Sequence, residues 1–125
     1  MLAWLEHNAI RVKDVEWYLK FFAEVFNMRQ RKILGTAPHR KVWLWGGLQL
    51  NETGYFASGE GRQEHLGIMT DDVPMALTKA AEYGVKPLPE GKNWFELPDG
   101  LHIEVCAGKA EVIKTAATLK PWLTD

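Results

Sequence analysis

The 125-residue chain contains a single cysteine, Cys106. One thiol cannot close an internal disulfide, so a packed core must hold the fold, and a reducing, cytoplasmic setting is expected. Neither sign of charge is in excess. Fifteen Lys and Arg stand against 16 Asp and Glu, which gives a formal net charge of −1 and a pI near 6.4. That balance leaves no electrostatic footprint for nucleic acid. Long apolar runs are missing: none approaches the ~20 residues of a membrane span. The opening MLAWLEH lacks the basic start and the apolar length of a signal peptide. Nucleic acid and membrane are therefore not expected partners. Glycine and proline, at 11 and 6 residues, are too few for a collagenous or low-complexity chain. The composition is 46% hydrophobic and 25% charged, in a length that fits one compact domain with a real core. Six tryptophans supply large rigid surfaces for a core, an interface or a pocket wall.

The chain repeats itself once. Leu5-Glu6-His7-Asn8-Ala9-Ile10-Arg11-Val12 reads as a strand, and Asp14 then caps a helix with an apolar stripe of Val15, Tyr18, Leu19, Phe22, Val25 and Phe26, closed by Asn27. Gln63-Glu64-His65-Leu66-Gly67-Ile68-Met69 reads as a second such strand. Asp72 caps a second helix, with Pro74 in its first turn, Met75, Ala76, Leu77, Ala80 and Tyr83 as its stripe, and Gly84 as its stop. Three short strands follow each helix: roughly 28–35, 40–45 and 48–52, then 85–88, 93–97 and 101–106. Gly46-Gly47 and Pro98-Asp99-Gly100 supply turns between neighbouring strands. The expected fold is thus α+β, a βαβββ module used twice: residues 1–56 and 63–107, joined by a linker at 57–62. Residues 108–125 form an amphipathic helix and tail, with Val112, Ile113, Ala116 and Leu119 on one side.

Strand alternation sorts the candidate residues. Leu101, Ile103 and Val105 share one face of the last strand, while His102, Glu104 and Cys106 share the other. Leu48 and Leu50 oppose Gln49 and Asn51. His7 and Arg11 lie together opposite Ile10 and Val12, and His65 lies opposite Leu66 and Ile68. The apolar faces should pack on the helices. The other face collects His7, Arg11, Gln49, Asn51, His65, His102 and Glu104. A solvated sheet face is the plain alternative. It leaves unexplained why a histidine recurs at the same place in both modules.

These residues resemble the vicinal oxygen chelate superfamily, which includes glyoxalase I, the bleomycin- and fosfomycin-resistance proteins and the extradiol dioxygenases. The resemblance rests on Leu5–Val15, on Glu64-His65-Leu66-Gly67-Ile68 and on Pro98-Asp99-Gly100-Leu101-His102-Ile103-Glu104-Val105, and it spans about residues 3–107. It implies two modules whose curved sheets make a cup-shaped, partly open mixed barrel around a divalent metal. His7, His65 and Glu104 match the family's ligands. The family's fourth position aligns with Asn51, and a one-residue bulge would turn the neighbouring Glu52 inward as ligand and base. Two imidazoles and a carboxylate leave open positions for substrate, and Fe, Mn, Ni, Co or Zn would accept them. An open metal acts as a Lewis acid on a small bidentate oxygen-bearing substrate.

Around that set, Arg11 is placed to hold a substrate carboxylate, as an arginine does at the matching place in glyoxalase I. His102 is a candidate acid or base, or a partner to Glu104. Trp45 and Trp94, with Gln49 and Asn51, are candidate substrate contacts. Cys106 reads as a small filler. Arg29, Arg31, Lys32, Arg40 and Lys41 read as a solvated strand edge. The expected activity is metal-dependent, either lyase or isomerase chemistry or ring-cleaving dioxygenase chemistry. The alternative is a metal-free drug-binding cup of bleomycin-resistance type, and the resemblance implies a homodimer.

Overall fold

The computed structural model describes residues 7–56 and 65–122. The linker expected at 57–62, the first residues of both repeat strands and the last three residues lie outside the described residues. Residues 7–56 with Pro121 and Trp122 form one compact unit, and residues 65–120 form the other. The described residues are α+β, with a four-stranded mixed sheet in each unit and three helices. Among the described residues no helix is long and apolar enough to cross a membrane.

The first unit runs β1 (Asn8–Val12), α1 (Val15–Phe26), β2 (Gln30–Leu34), β3 (Lys41–Leu44) and β4 (Leu48–Glu52). Its strand order is β1-β4-β3-β2, with β1 and β4 parallel and the other pairs antiparallel. The second unit runs β5 (Leu66–Thr70), α2 (Val73–Glu82), β6 (Lys86–Pro87), β7 (Trp94–Glu96) and β8 (His102–Ala107), followed by α3 (Ala110–Ala117). Its order is β5-β8-β7-β6, again with first and last strands parallel. A parallel pair needs a crossover, which the helix and the two middle strands provide.

Local chemistry sets the helix ends. The Asp14 side chain accepts from the Trp17 N–H at 3.2 Å, and Asn27 closes α1 in the left-handed region. The Asp72 carboxylate accepts from the Met75 N–H at 3.1 Å. Between β3 and β4, Gly46 and Gly47 both take positive φ, 105° and 94°, a turn that residues with a Cβ rarely adopt.

The two cores differ. The α1 face packs with Val15, Tyr18, Phe21, Phe22 and Val25 buried against Ile10, Val12, Val42, Leu44, Leu48 and Leu50. Phe21, absent from the expected stripe, is fully buried; it stacks on Trp17 and meets Phe22 edge-on. In the second unit α2 buries Ala76 and Ala80, and the sheet buries Phe95, Ile103 and Val105, with Leu97 beside β7. Met75, expected in the stripe, is 52% exposed, because it precedes Ala76 and falls on the outer side of the helix. The first unit therefore carries the larger apolar payload. Replacing Phe22 by Ala is expected to cost about 3–5 kcal/mol. Met75→Ala should stay within about 0.5 kcal/mol. Urea unfolding of both variants beside the native chain checks the contrast.

Candidate metal and substrate site

In the second unit His65 immediately precedes β5, and the parallel register sets Gly67 beside Glu104. The polar face of this sheet carries His65, Gly67 and Met69 alongside His102, Glu104 and Cys106. Across the antiparallel ladder, β7 adds Trp94 opposite Glu104 and Glu96 opposite His102. His65 Nε2 lies 3.5 Å from Glu104 Oε2, with both side chains about one-third exposed. Trp94 meets the His65 ring edge-on, centroids 4.7 Å apart, and gives the imidazole a packed wall. Gly67 leaves room beside the pair: nothing lies within 4 Å of where a Cβ would stand.

Imidazole nitrogen and carboxylate oxygen are donors that a divalent transition metal accepts. Two donors each about 2.1 Å from one metal stand about 3.4 Å apart at a tetrahedral angle. The observed spacing fits that separation. Among the described residues no group of three or more His, Cys, Asp and Glu is set to hold a metal, so the pair is a half-site.

A second pair lies beside it on the same face. His102 Nε2 is 3.2 Å from Glu96 Oε1, and Lys86 Nζ is 3.9 Å from Glu96 Oε2. Where the carboxylate accepts from Nε2, the other ring nitrogen of a neutral imidazole, Nδ1, is the acceptor. Glu96 was not anticipated. Its signal is the antiparallel alternation across the Pro98-Asp99-Gly100 turn, which sets Glu96 against His102 once Trp94 is set against Glu104. Burial, with the Glu104 charge second, pushes the Cys106 thiol up, which suits an inert filler.

In the first unit His7 immediately precedes β1, as His65 precedes β5, and it is exposed. The β1–β4 register pairs Ala9 with Gln49 and Arg11 with Asn51. On the other side of β4, Trp43 stands opposite Gln49 and Lys41 opposite Asn51. Gln49 is only 6% exposed, and its Nε2 donates to Asn51 Oδ1 at 2.7 Å. Lys32 Nζ sits 5.5 Å from the centre of the Trp43 ring. Trp45 packs edge-on against Trp122 at 5.1 Å, and the Arg31 guanidinium lies 3.9 Å from the Trp122 ring centre.

Two expectations are corrected here. Aligning the glycine turns makes Asn51 the counterpart of Glu104, but the ladders make it Gln49. Leu48 pairs with Asn8 as Ile103 pairs with Leu66, and Gln49 faces Trp43 as Glu104 faces Trp94. The second turn carries Leu101 and His102 between its glycine and the equivalent strand position, whereas Leu48 follows Gly47 directly. A slip of two keeps the face and changes the place. The second correction concerns Glu52. The β1–β4 ladder continues through Val12–Glu52 without a bulge, so Glu52 stays on the opposite face. There it grips Arg40: Nε donates to Oε1 at 2.9 Å, Nη2 to Oε2 at 2.7 Å and the backbone N–H to Oε1 at 3.1 Å. Glu16 of α1 takes the remaining guanidinium nitrogen, Nη1. Hydrogen bonding to Arg40 holds the Glu52 carboxyl down to about 2 and raises the guanidinium further. Glu52 is a staple between the end of β4 and the turn before β3.

No protein-family model matches the chain. It is similar to YwbC of Bacillus subtilis strain 168, an uncharacterized protein, with 30% identity over 118 residues, which cover 80% of this chain and 94% of YwbC. Among solved structures it resembles the fosfomycin resistance protein FosX of Listeria monocytogenes, determined with Mn(II) and dihydroxypropylphosphonic acid. The TM-score is 0.70 at 22% identity, over 96% of this chain and all of FosX (100%). It also resembles the trypanothione-dependent glyoxalase I of Leishmania major, with a TM-score of 0.68 at 22% identity over 93% and 94% of the two chains. An integron cassette protein of V. cholerae follows at 0.58 and 20%, over 87% and 98%. At these identities the solved structures establish a shared fold.

The Arg40–Glu52 staple has a pH signature. A carboxyl lowered from 4.5 to about 2 contributes stability that is complete above the unfolded value and lost as pH falls towards 2. Thermal unfolding should therefore show Glu52→Gln melting below the native chain at pH 7. The gap should close between about pH 4.5 and pH 2.

Proposed function

We propose that this chain, which belongs to the vicinal oxygen chelate superfamily and to the same family as YwbC, is a divalent-metal-dependent enzyme acting on a small substrate with two neighbouring oxygens. The observation that carries this reading is the His65–Glu104 pair, 3.5 Å apart beside an open Gly67. His7 completes the ligand set. The warrant for His7 is the family resemblance and its place directly before β1, which repeats that of His65 before β5. The metal, when bound, supplies Lewis-acid polarisation of the substrate oxygens.

The chain's own residues have distinct tasks in this reading. Glu104 lies on β8 and His65 directly before β5, so the β5–β8 ladder brings the two donors together. Trp94 braces the imidazole and keeps water off one side of it. Glu96 orients His102 so that Nδ1 can take a proton from a carbon or oxygen next to the site. Gln49, at the first unit's equivalent of Glu104, is a neutral group where a carboxylate would add a negative charge. Lyase or isomerase chemistry that moves one proton suits a single acceptor such as His102 better than chemistry that needs a second ionised carboxylate at the site.

Metal analysis by mass spectrometry tests the reading. The native protein should carry about one equivalent of a transition metal per chain after loading with Fe, Mn, Ni, Co or Zn. Glu104→Ala and His65→Ala should each lower the affinity by at least about tenfold. A native protein that binds none of these metals would leave a metal-free binding protein as the reading.

A further inference from the structure

We infer that the α3 end of the second unit's polar face is an apolar subsite, formed by Met69 and Ile113 beside Cys106, which takes a short alkyl arm of the substrate. This rests on the proposed function, since it sets the arm next to a head whose two oxygens lie at His65 and Glu104. It narrows the substrate to one with an apolar substituent on that side. The β5–β8 ladder orders the face: Gly67 is level with Glu104, and Met69 with Cys106 one row further on. Alternation lines up His102, Glu104, Cys106 and Gly108 along β8, so the face grades from ionisable to apolar towards α3. The Gly108 N–H donates to the Thr70 carbonyl at 2.9 Å, and α3, which starts at Ala110, rests on β5.

Gly108 carries the local argument. A Cβ there would stand 2.5 Å from the Met69 sulfur and 2.8 Å from Ile113 Cδ1. The space over this glycine is thus filled by one side chain from β5 and one from α3. Their apolar surface is nevertheless left open. Met69 is 57% exposed and Val112, next to Ile113, is 56% exposed. Gly67 stands between this patch and the His65–Glu104 pair, with nothing within 4 Å of a Cβ, so the floor is open from pair to patch. Successive residues on one face of a strand lie about 6.7 Å apart, a span that a few carbons cover. The other end of the face holds Glu96, His102 and Lys86, which are ionisable, so an alkyl arm has one favourable direction in which to lie. A thioether with three rotatable bonds adapts to the shape of such an arm, and ligand sites commonly pair a few polar groups with a mostly apolar lining.

The test uses the full chain, with and without zinc, titrated with straight-chain vicinal diols from propanediol to hexanediol. Carbon–proton NMR reads the methionine methyl groups. The Met69 methyl should shift to saturation, and affinity should rise about fourfold for each methylene that the patch covers. The Met75 methyl, on the outer side of α2 and 52% exposed, should stay still. Met69→Gln keeps the length of the side chain and should remove the dependence on chain length, whereas Met75→Gln should keep it. A Met69 methyl that ignores the diols, or an equally steep series in Met69→Gln, would overturn the inference. So would a Met69 methyl that follows protein concentration and not diol, which would assign the patch to a contact between two copies. Glu104→Ala separates the two readings. It should lose zinc uptake and keep the chain-length series, and loss of the series there would also overturn the inference. A native chain that takes up no zinc yet keeps the series would remove the metal and leave the subsite standing.

Discussion

The parallel hydrogen bonding of the first strand of each unit to its last strand is the constraint on which the site depends. β1 on β4 and β5 on β8 bring together residues roughly 40 positions apart in sequence, and the pairing decides which of them are neighbours. Because a strand has a side-chain period of two, one choice of register commits every residue of both strands to the core face or the polar face. Burying Ile10, Val12, Leu48 and Leu50 under α1 leaves Arg11, Gln49 and Asn51 no other place to go. Burying Ile103 and Val105 does the same for His102, Glu104 and Cys106. The site is the reverse side of the hydrophobic core, and its accuracy is inherited from that packing.

Much of this was legible in the residues, because the signals involved are local or periodic. Asp14 and Asp72 accept from backbone N–H groups three residues on, and Asn27 turns back to the Phe22 carbonyl in the same helix, so their roles follow from spacing alone. The two-residue alternation sorted Arg11, Gln49, Asn51, His102 and Glu104 onto their faces. Register was the weak point. Gly47 and Gly100 look equivalent, yet the chain takes two more residues to reach the paired position after Gly100, and nothing local reports how long a turn will be. Parity hid the slip, since Gln49 and Asn51 share a face. Glu52 was obscured for another reason. Its partner Arg40 is twelve residues away on a connection with no periodicity, and a guanidinium held by two carboxylates is visible only once both are in place. Glu96 and His102 fall between these cases: the turn is short enough for the pairing to be counted, provided the start of the ladder is known.

The repeats have kept their framework and exchanged their contents. Trp43 and Trp94 occupy the same ladder position, each opposite the residue at the centre of its polar face. A large planar side chain there does one physical job in both units, providing a rigid wall beside a polar group. What it walls has changed. Trp94 stands against His65, an imidazole, and Trp43 stands under Lys32, an ammonium. The residue opposite changes with it, Glu104 in one unit and Gln49 in the other.

That exchange can be argued from the cost of charge. Glu104 next to His65 is a stable arrangement while both are partly solvated or share a cation, and their one-third exposure is consistent with it. Gln49 is almost wholly buried, at 6% exposure, where an ionised carboxylate would carry a large desolvation cost. The neutral amide meets its need with one hydrogen bond to Asn51, and in doing so turns the Asn51 donors outward. Neutralising one position thus orients the next.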